Sequence, residues 1–180
     1  MKILVATNGS VGSKAAIRFA NRLAEGLKDA ELVIVTVGAL RRELLCQSHA
    51  PEDGSIGPEI EREERQIAHQ VLLAAERELK KGRHRATFRF VQPRRSAPVA
   101  ETIAHEADRE KADLIVVGTD RLGVYATWAL GSVSARLLQV ARRPVTVVRV
   151  TASPRKAAHP LDTGASPAEN RQLPEPGPAL

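Results

Sequence analysis

Short apolar segments recur along this chain, and they constrain its fold more than any other feature. They occur at 2–7, 32–37, 86–91, 114–117 and 145–150. Several are nearly unbroken runs of Val, Ile, Leu and Ala, which is the pattern of parallel strands covered on both faces. Stretches with apolar residues at helical spacing separate them. The alternation predicts an α/β fold, with one doubly wound, five-stranded parallel sheet and helices on both faces.

Four of the intervening segments have the helical pattern. Ser13 is predicted to cap the first helix. The second helix is the longest: it starts at Pro58, and Ile67 belongs to the apolar face that we expect to be buried. The third passes through Ile103, and the fourth covers 132–141. This count gives one helix for each connection between strands.

The chain of 180 residues is long enough for one domain with an extension. We expect the domain to cover 1–150. From residue 151 the composition changes to Pro, Ala, Gly and Ser with few large apolar side chains, so 151–180 is predicted to be a disordered tail. A long irregular segment at 38–57 contains Cys46, the only cysteine, which we interpret as an inert thiol.

The net charge of +6 raises the question of nucleic-acid binding. A basic cluster lies around the third strand, but no nucleic-acid motif accompanies it. Phe88 and Phe90 alternate with Arg85 and Arg89 and are therefore expected to face a core rather than a base. We interpret the cluster as a solvated edge, and nucleic-acid binding is not expected.

The sequence lacks a membrane helix, a signal segment and a metal-ligand pattern, and these absences guide the expected location and metal content. No apolar run approaches the length of about 20 residues that a membrane helix needs. The start at Met1 has no apolar signal segment, and a single cysteine suits a reducing compartment, so a cytoplasmic protein is expected. The five histidines have no metal-ligand spacing with one another or with Cys46, so no metal site is predicted.

A run with two glycines and a serine is the best indication of function. Gly118 follows the fourth strand, and Gly131 and Ser132 precede the last helix, with Ser132 predicted as its cap. Backbone N–H groups from both sides could converge there on a phosphate. Thr7 and Asn8 end the first strand. If the first and fourth strands are neighbours, all these residues line one crevice, although the sequence does not fix the strand order.

These motifs together resemble the universal stress protein family. The resemblance covers 1–150 and is carried by ILVATNGSVGSKAA at the start, ADLIVVGTDRLG and LGSVSARLL later, and RRPVTVV at the end. It implies the strand order 3-2-1-4-5. It also implies a homodimer that pairs through the last strand, with an interface formed by Val145, Val147, Val148 and Val150.

The resemblance also implies a nucleotide site, because one class of the family binds ATP through a glycine-rich loop. Gly118, Gly131 and Ser132 match that motif in register, whereas Arg121 replaces its middle glycine and Asn8 replaces the usual acidic residue. Gly123 matches a further glycine of related loops. The residues expected around the nucleotide are Ala6, Thr7, Asn8, Val37, Gly118, Thr119, Arg121, Gly123, Gly131, Ser132, Val133 and Ser134.

Two functions therefore remain open. The chain is a nucleotide-sensing stress regulator that binds ATP, with or without Mg²⁺, or it is a nucleotide-free homodimeric interaction protein, as Arg121 and Asn8 favour. An ATP pyrophosphatase-like enzyme is a third, remote alternative, because NGSVGS has Gly12 where that class has aspartate. No catalytic residues are evident, so ATP hydrolysis is expected to be at most slow.

Overall fold

Five parallel strands form one sheet in the computed structural model, which describes residues 1–38, 58–79, 84–93, 97–119 and 131–150. Their order is β3-β2-β1-β4-β5, and every neighbouring pair is parallel. This confirms the doubly wound sheet and the predicted order. The strands are β1 Lys2–Ala6, β2 Glu31–Val37, β3 Arg85–Val91, β4 Leu114–Thr119 and β5 Val145–Arg149.

Helices cover both faces of this sheet, as the alternating pattern predicts. They are α1 Val11–Glu25, α2 Pro58–Glu78, α3 Val99–Arg109 and α4 Ser132–Val140. Alternate residues of β1 separate two cores: Ile3 and Val5 pack with α1 and α2, whereas Leu4 packs with α3 and α4. All three side chains are fully buried, which explains why consecutive residues of the strand are apolar instead of alternating with polar ones.

The first helix starts earlier than predicted, and Ser13 is not its cap. Ser10 is the N-cap: its backbone is extended, and its Oγ accepts a hydrogen bond of 3.3 Å from Ser13 N. Ser13 lies inside the first turn and is buried. Both serines suit a cap by composition, and the turn at Gly9, with φ of +80°, decides between them by directing the chain into the helix sooner.

The buried face of α2 also differs from the prediction. Ile67 is 46% exposed, whereas Glu64 is only 4% exposed. Glu64, Ala68 and Ala75 form the buried positions of the helix. The carboxylate of Glu64 occupies the space beside Gly38, where an added Cβ would lie 2.5 Å from Oε1. A glycine at the end of β2 thus makes room for an acidic side chain, which hydrophobic spacing cannot indicate.

The basic residues of β3 are partly explained by packing. Phe88 packs against the core formed with α1 and α2, as predicted. Arg89, on the other face, forms ion pairs with Glu106 of α3 and with Glu110, the residue at its C-cap, the Nε to Glu106 Oε1 distance being 3.6 Å. Within the described ranges, no helix is long and apolar enough to cross a membrane. Cys46 and the predicted tail at 151–180 lie outside the described residues.

Candidate functional site

A cavity of about 240 Å³ opens at the carboxyl ends of β1, β2 and β4. This is the edge where doubly wound sheets bind ligands, at the point where the strand order reverses. One part of its described lining is apolar and consists of Ala6, Val35, Val37, Val99, Ile103, Val117 and Val133. The other part is polar and consists of Thr7, Asn8, Ser10, Ser13, Gly118 and Ser134.

Hydrogen bonds hold the loop between β1 and α1 in one conformation. Thr7 Oγ1 donates to Ser13 Oγ at 3.1 Å and accepts from Gly9 N at 3.2 Å. Ser13 Oγ in turn donates to the carbonyl oxygen of Ser10 at 3.0 Å. Asn8 Oδ1 accepts from Ser10 N at 3.1 Å and closes an Asx turn. The polar groups at this end of α1 are therefore largely satisfied by the loop itself.

Gly118 lies inside β4 rather than in a turn after it. An added Cβ would be 2.0 Å from the carbonyl oxygen of Gly12 and 2.6 Å from Ser13 N. The first turn of α1 thus packs directly on the backbone of β4, at a distance that only glycine permits. This contact gives Gly118 a packing role that does not depend on a ligand.

No side chain of the described part of the chain caps the N-terminus of α4. Gly131 is the N-cap residue, with φ of −56° and ψ of 151°, and Ser132 is the first helical residue, so the prediction that Ser132 caps the helix is wrong. The first hydrogen bond runs from Ala135 N to the carbonyl oxygen of Gly131 at 2.9 Å. The N–H groups of Ser132, Val133 and Ser134 therefore have no acceptor within the helix.

Two buried hydroxyls flank this helix terminus. Thr119 is 5% exposed, and its Oγ1 has no hydrogen-bond partner among the residues that the structure describes. Ser134 is 2% exposed. A Cβ added to Gly131 would lie 3.7 Å from Thr119 Oγ1 and 3.9 Å from Ser134 Oγ. N–H groups with no acceptor within the helix, the positive end of the helix dipole and a hydroxyl with no described partner together suit an anion such as phosphate.

The described lining of the cavity contains no charged side chain, no histidine and no cysteine. Among the described residues, no group of three His, Cys, Asp or Glu side chains could hold a metal ion. The described arrangement is suited to binding: its apolar part can accept a flat ring, and its polar part can hold an anion through N–H and O–H groups.

A match to a family model identifies the family of this chain. The model of the universal stress protein family matches residues 1–149. The chain belongs to the universal stress protein family. The predicted resemblance is thus confirmed. A search of the curated proteins found no significant match.

Solved structures of other universal stress proteins share the fold. One from Burkholderia pseudomallei is 26% identical, with a TM-score of 0.58 and coverage of 82% of this chain and 94% of that one. A universal stress protein in complex with cAMP is also 26% identical, with a TM-score of 0.58 and coverage of 84% and 98%. An Arabidopsis thaliana member with AMP bound is 17% identical, with a TM-score of 0.56 and coverage of 88% and 97%.

The structure brings most of the predicted site residues to one place. Seven of them line the cavity: Ala6, Thr7, Asn8, Val37, Gly118, Val133 and Ser134. Thr119 and Gly131 lie beside the polar end, and Ser132 lines an adjoining cavity with Val99 and Val133. Arg121 and Gly123 lie outside the described residues. That these residues bind a nucleotide stays a prediction.

Sequence reasoning missed the wall that α3 contributes. Val99 and Ile103 line the cavity from the first turns of this helix. Their spacing of four residues predicts only that they share a face of the helix. Which end of that face borders a cavity depends on how α3 packs over β2, and this information is absent from the local sequence.

Proposed function

We propose that this chain is a cytoplasmic, nucleotide-sensing regulator of the stress response that binds an adenine nucleotide in the cavity. The main observation in support is the N-terminus of α4, which no described side chain caps, beside the buried hydroxyl of Thr119, which has no hydrogen-bond partner within the described ranges. An unsatisfied buried hydroxyl is costly without a ligand or water to bond it. The complex of a 26% identical relative with cAMP supports the same class of ligand.

In the proposed complex, the phosphate lies at the N-terminus of α4 and the base lies in the apolar part of the cavity. Gly131, Ser132 and Val133 supply the phosphate end, and Val37 and Val99 supply walls for the base. ATP is the finer proposal within this class. Because the described lining has no carboxylate, Mg²⁺ would arrive with the nucleotide, coordinated mainly by its phosphates.

We propose regulation by binding rather than catalysis. No described lining residue can act as a general base of the usual kind, since the lining has no His, Asp or Glu. ATP hydrolysis is therefore expected to be at most slow. A bound nucleotide would act by stabilising the crevice between the loop after β1 and the N-terminus of α4.

The alternative is a nucleotide-free homodimeric interaction protein. The replacement of the motif's middle glycine by Arg121 favours it, because a long side chain hinders close approach of backbone to phosphate. Under both proposals the chain is a homodimer that pairs through β5, with Val145, Val147, Val148 and Val150 in the interface. The two proposals differ only in the ligand.

Calorimetric titration of the full chain distinguishes them. The native protein is titrated with AMP, cAMP and Mg-ATP, and an Arg121→Gly variant is titrated in parallel. We expect saturable binding of at least one nucleotide to the native chain, with a Kd on the order of micromolar. Binding only after Arg121 is replaced would establish the nucleotide-free alternative, and binding by neither protein would overturn the nucleotide-sensing proposal.

A further inference from the structure

A second groove lies between α1 and α2, and it shares no described lining residue with the nucleotide cavity. Its volume is about 320 Å³, near the lower limit of about 300 Å³ for small-molecule sites. Its described lining carries only polar and charged side chains, namely Arg18, Asn21, Arg22, Glu25, Arg77 and Glu78. A groove of this size and polarity suits a small, charged ligand.

Asn21 forms the floor of this groove, since it lines the groove and is only 3% exposed. Its Nδ2 donates to Glu25 Oε1 at 2.9 Å, and because a carboxylate only accepts, this bond identifies the nitrogen of the amide. Asn21 Oδ1 then has no hydrogen-bond partner among the residues that the structure describes. A buried acceptor without a donor is unfavourable, so this oxygen favours a ligand that brings an N–H group to the floor of the groove.

Two arginines of the groove have their guanidinium groups available. An ion pair from Arg18 Nη1 to Glu78 Oε2, at 2.8 Å, joins the two helices. Arg22 and Arg77 are exposed and form no ion pair within the described part of the chain. A guanidinium binds a carboxylate through two parallel hydrogen bonds. Two such groups on opposite helices therefore favour a ligand with two carboxylates.

Glu25 restricts the ligand further, because its carboxylate lies beside the unpartnered oxygen of Asn21. Two neighbouring acceptors, one of them negatively charged, suit a positively charged donor such as an ammonium group. A plain dicarboxylate satisfies the arginines, but it brings no donor to Asn21 and only negative charge to Glu25. The groove thus combines partners for carboxylates with partners for an ammonium group.

We propose that this groove is a binding site for an acidic α-amino acid. The two carboxylates of the ligand pair with Arg22 and Arg77, and its ammonium group donates to Asn21 Oδ1 and Glu25. The site is separate from the cavity at the carboxyl ends of the strands. The inference therefore does not depend on the proposed nucleotide function, and it gives the chain a second small ligand.

Calorimetric titration of the full native chain tests the proposal with matched pairs of ligands. L-glutamate is compared with glutarate and L-aspartate with succinate, because each diacid keeps both carboxylates and lacks the ammonium group. Arg22→Gln and Arg77→Gln each remove one guanidinium of the groove. Arg65→Gln is the control: it removes the same charge from an exposed position of α2, about 18 Å along the helix from Arg77.

We expect the native chain to bind at least one of the two amino acids with a Kd on the order of 0.1 mM, and the matching diacid about tenfold more weakly. Arg22→Gln and Arg77→Gln should each weaken binding of the amino acid about tenfold, and Arg65→Gln less than about twofold. Thermal unfolding of each variant checks the fold. If one groove variant does not fold, the other decides.

Three results would overturn the inference. Absence of saturable binding of both amino acids to the native chain at about 10 mM would show that the groove holds only solvent. Equal affinity for an amino acid and its diacid would show that no ammonium group is recognised. Unchanged affinity in the folded groove variants, or an equal loss in Arg65→Gln, would place the binding elsewhere. None of these results bears on the nucleotide cavity, which is tested by its own titration.

Discussion

Gly118 and Gly131 belong to one sequence motif, but the structure gives them different physical reasons to be glycine. The backbone of Gly118 touches the first turn of α1, so no side chain fits there. Gly131 has a negative φ that other residues adopt, and the nearest atoms to an added Cβ are hydroxyl oxygens at 3.7 and 3.9 Å. One glycine of the motif therefore meets a packing requirement, whereas the other stands where a Cβ would make only ordinary contacts.

Substitution of each glycine by alanine separates these roles. Gly118→Ala forces a Cβ to within 2.0 Å of the Gly12 carbonyl oxygen and should lower the free energy of unfolding by about 3 kcal/mol. Gly131→Ala should lower it by about 0.5 kcal/mol, since alanine is a poorer N-cap than glycine. Urea denaturation of both variants measures the difference. Equal stability of Gly118→Ala and the native chain would contradict the observed close packing.

At the scale of secondary structure, α1 and α4 both begin beside the cavity, but their N-termini differ. The N-terminus of α1 is capped by Ser10, whose Oγ accepts from Ser13 N. The N-terminus of α4 has no such side chain. Since a helix usually gains stability from a polar cap, an uncapped end beside a cavity is typical of a place where a ligand supplies the acceptor.

Proline at the first helical position tests the N–H groups of α4 directly. Ser132→Pro removes one N–H donor and the hydroxyl, and the extended backbone of Gly131, at ψ of 151°, is compatible with a following proline. Ser132→Ala removes the hydroxyl alone. We expect calorimetry to show nucleotide affinity about tenfold lower for Ser132→Pro than for Ser132→Ala. Equal affinities would show that this N–H does not bind phosphate.

The strands were predictable, whereas helix starts and faces were less so. Strands such as β1 are covered on both faces, so their sequences are unbroken apolar runs. Such a run indicates a strand without any knowledge of the elements that pack against it. The start of α1 depends on a positive φ at Gly9, and the buried face of α2 depends on space beside Gly38 for Glu64. Likewise, Val99 reaches the cavity only through the packing of α3. These are tertiary effects that no local pattern contains.

The whole sheet has two unlike edges. At one edge, β3 carries Arg85 and Arg89, and charged side chains oppose pairing with another strand. At the other edge, β5 has the sequence VTVVR and a neighbour on one side only within the sheet. A valine-rich edge of this kind is suited to pairing with a second copy of the chain, as the proposed homodimer requires.

A lysine placed on each edge strand in turn tests that dimer. Two β5 strands that pair about a two-fold axis lie beside each other, so Thr146→Lys brings two positive charges close together at the interface. Thr87→Lys makes the same change on β3 and serves as the control. Light scattering at micromolar concentration should give a dimer for the native chain and Thr87→Lys, and a monomer for Thr146→Lys. A native monomer, or a Thr146→Lys variant that dimerises equally well, would show that β5 is not the interface.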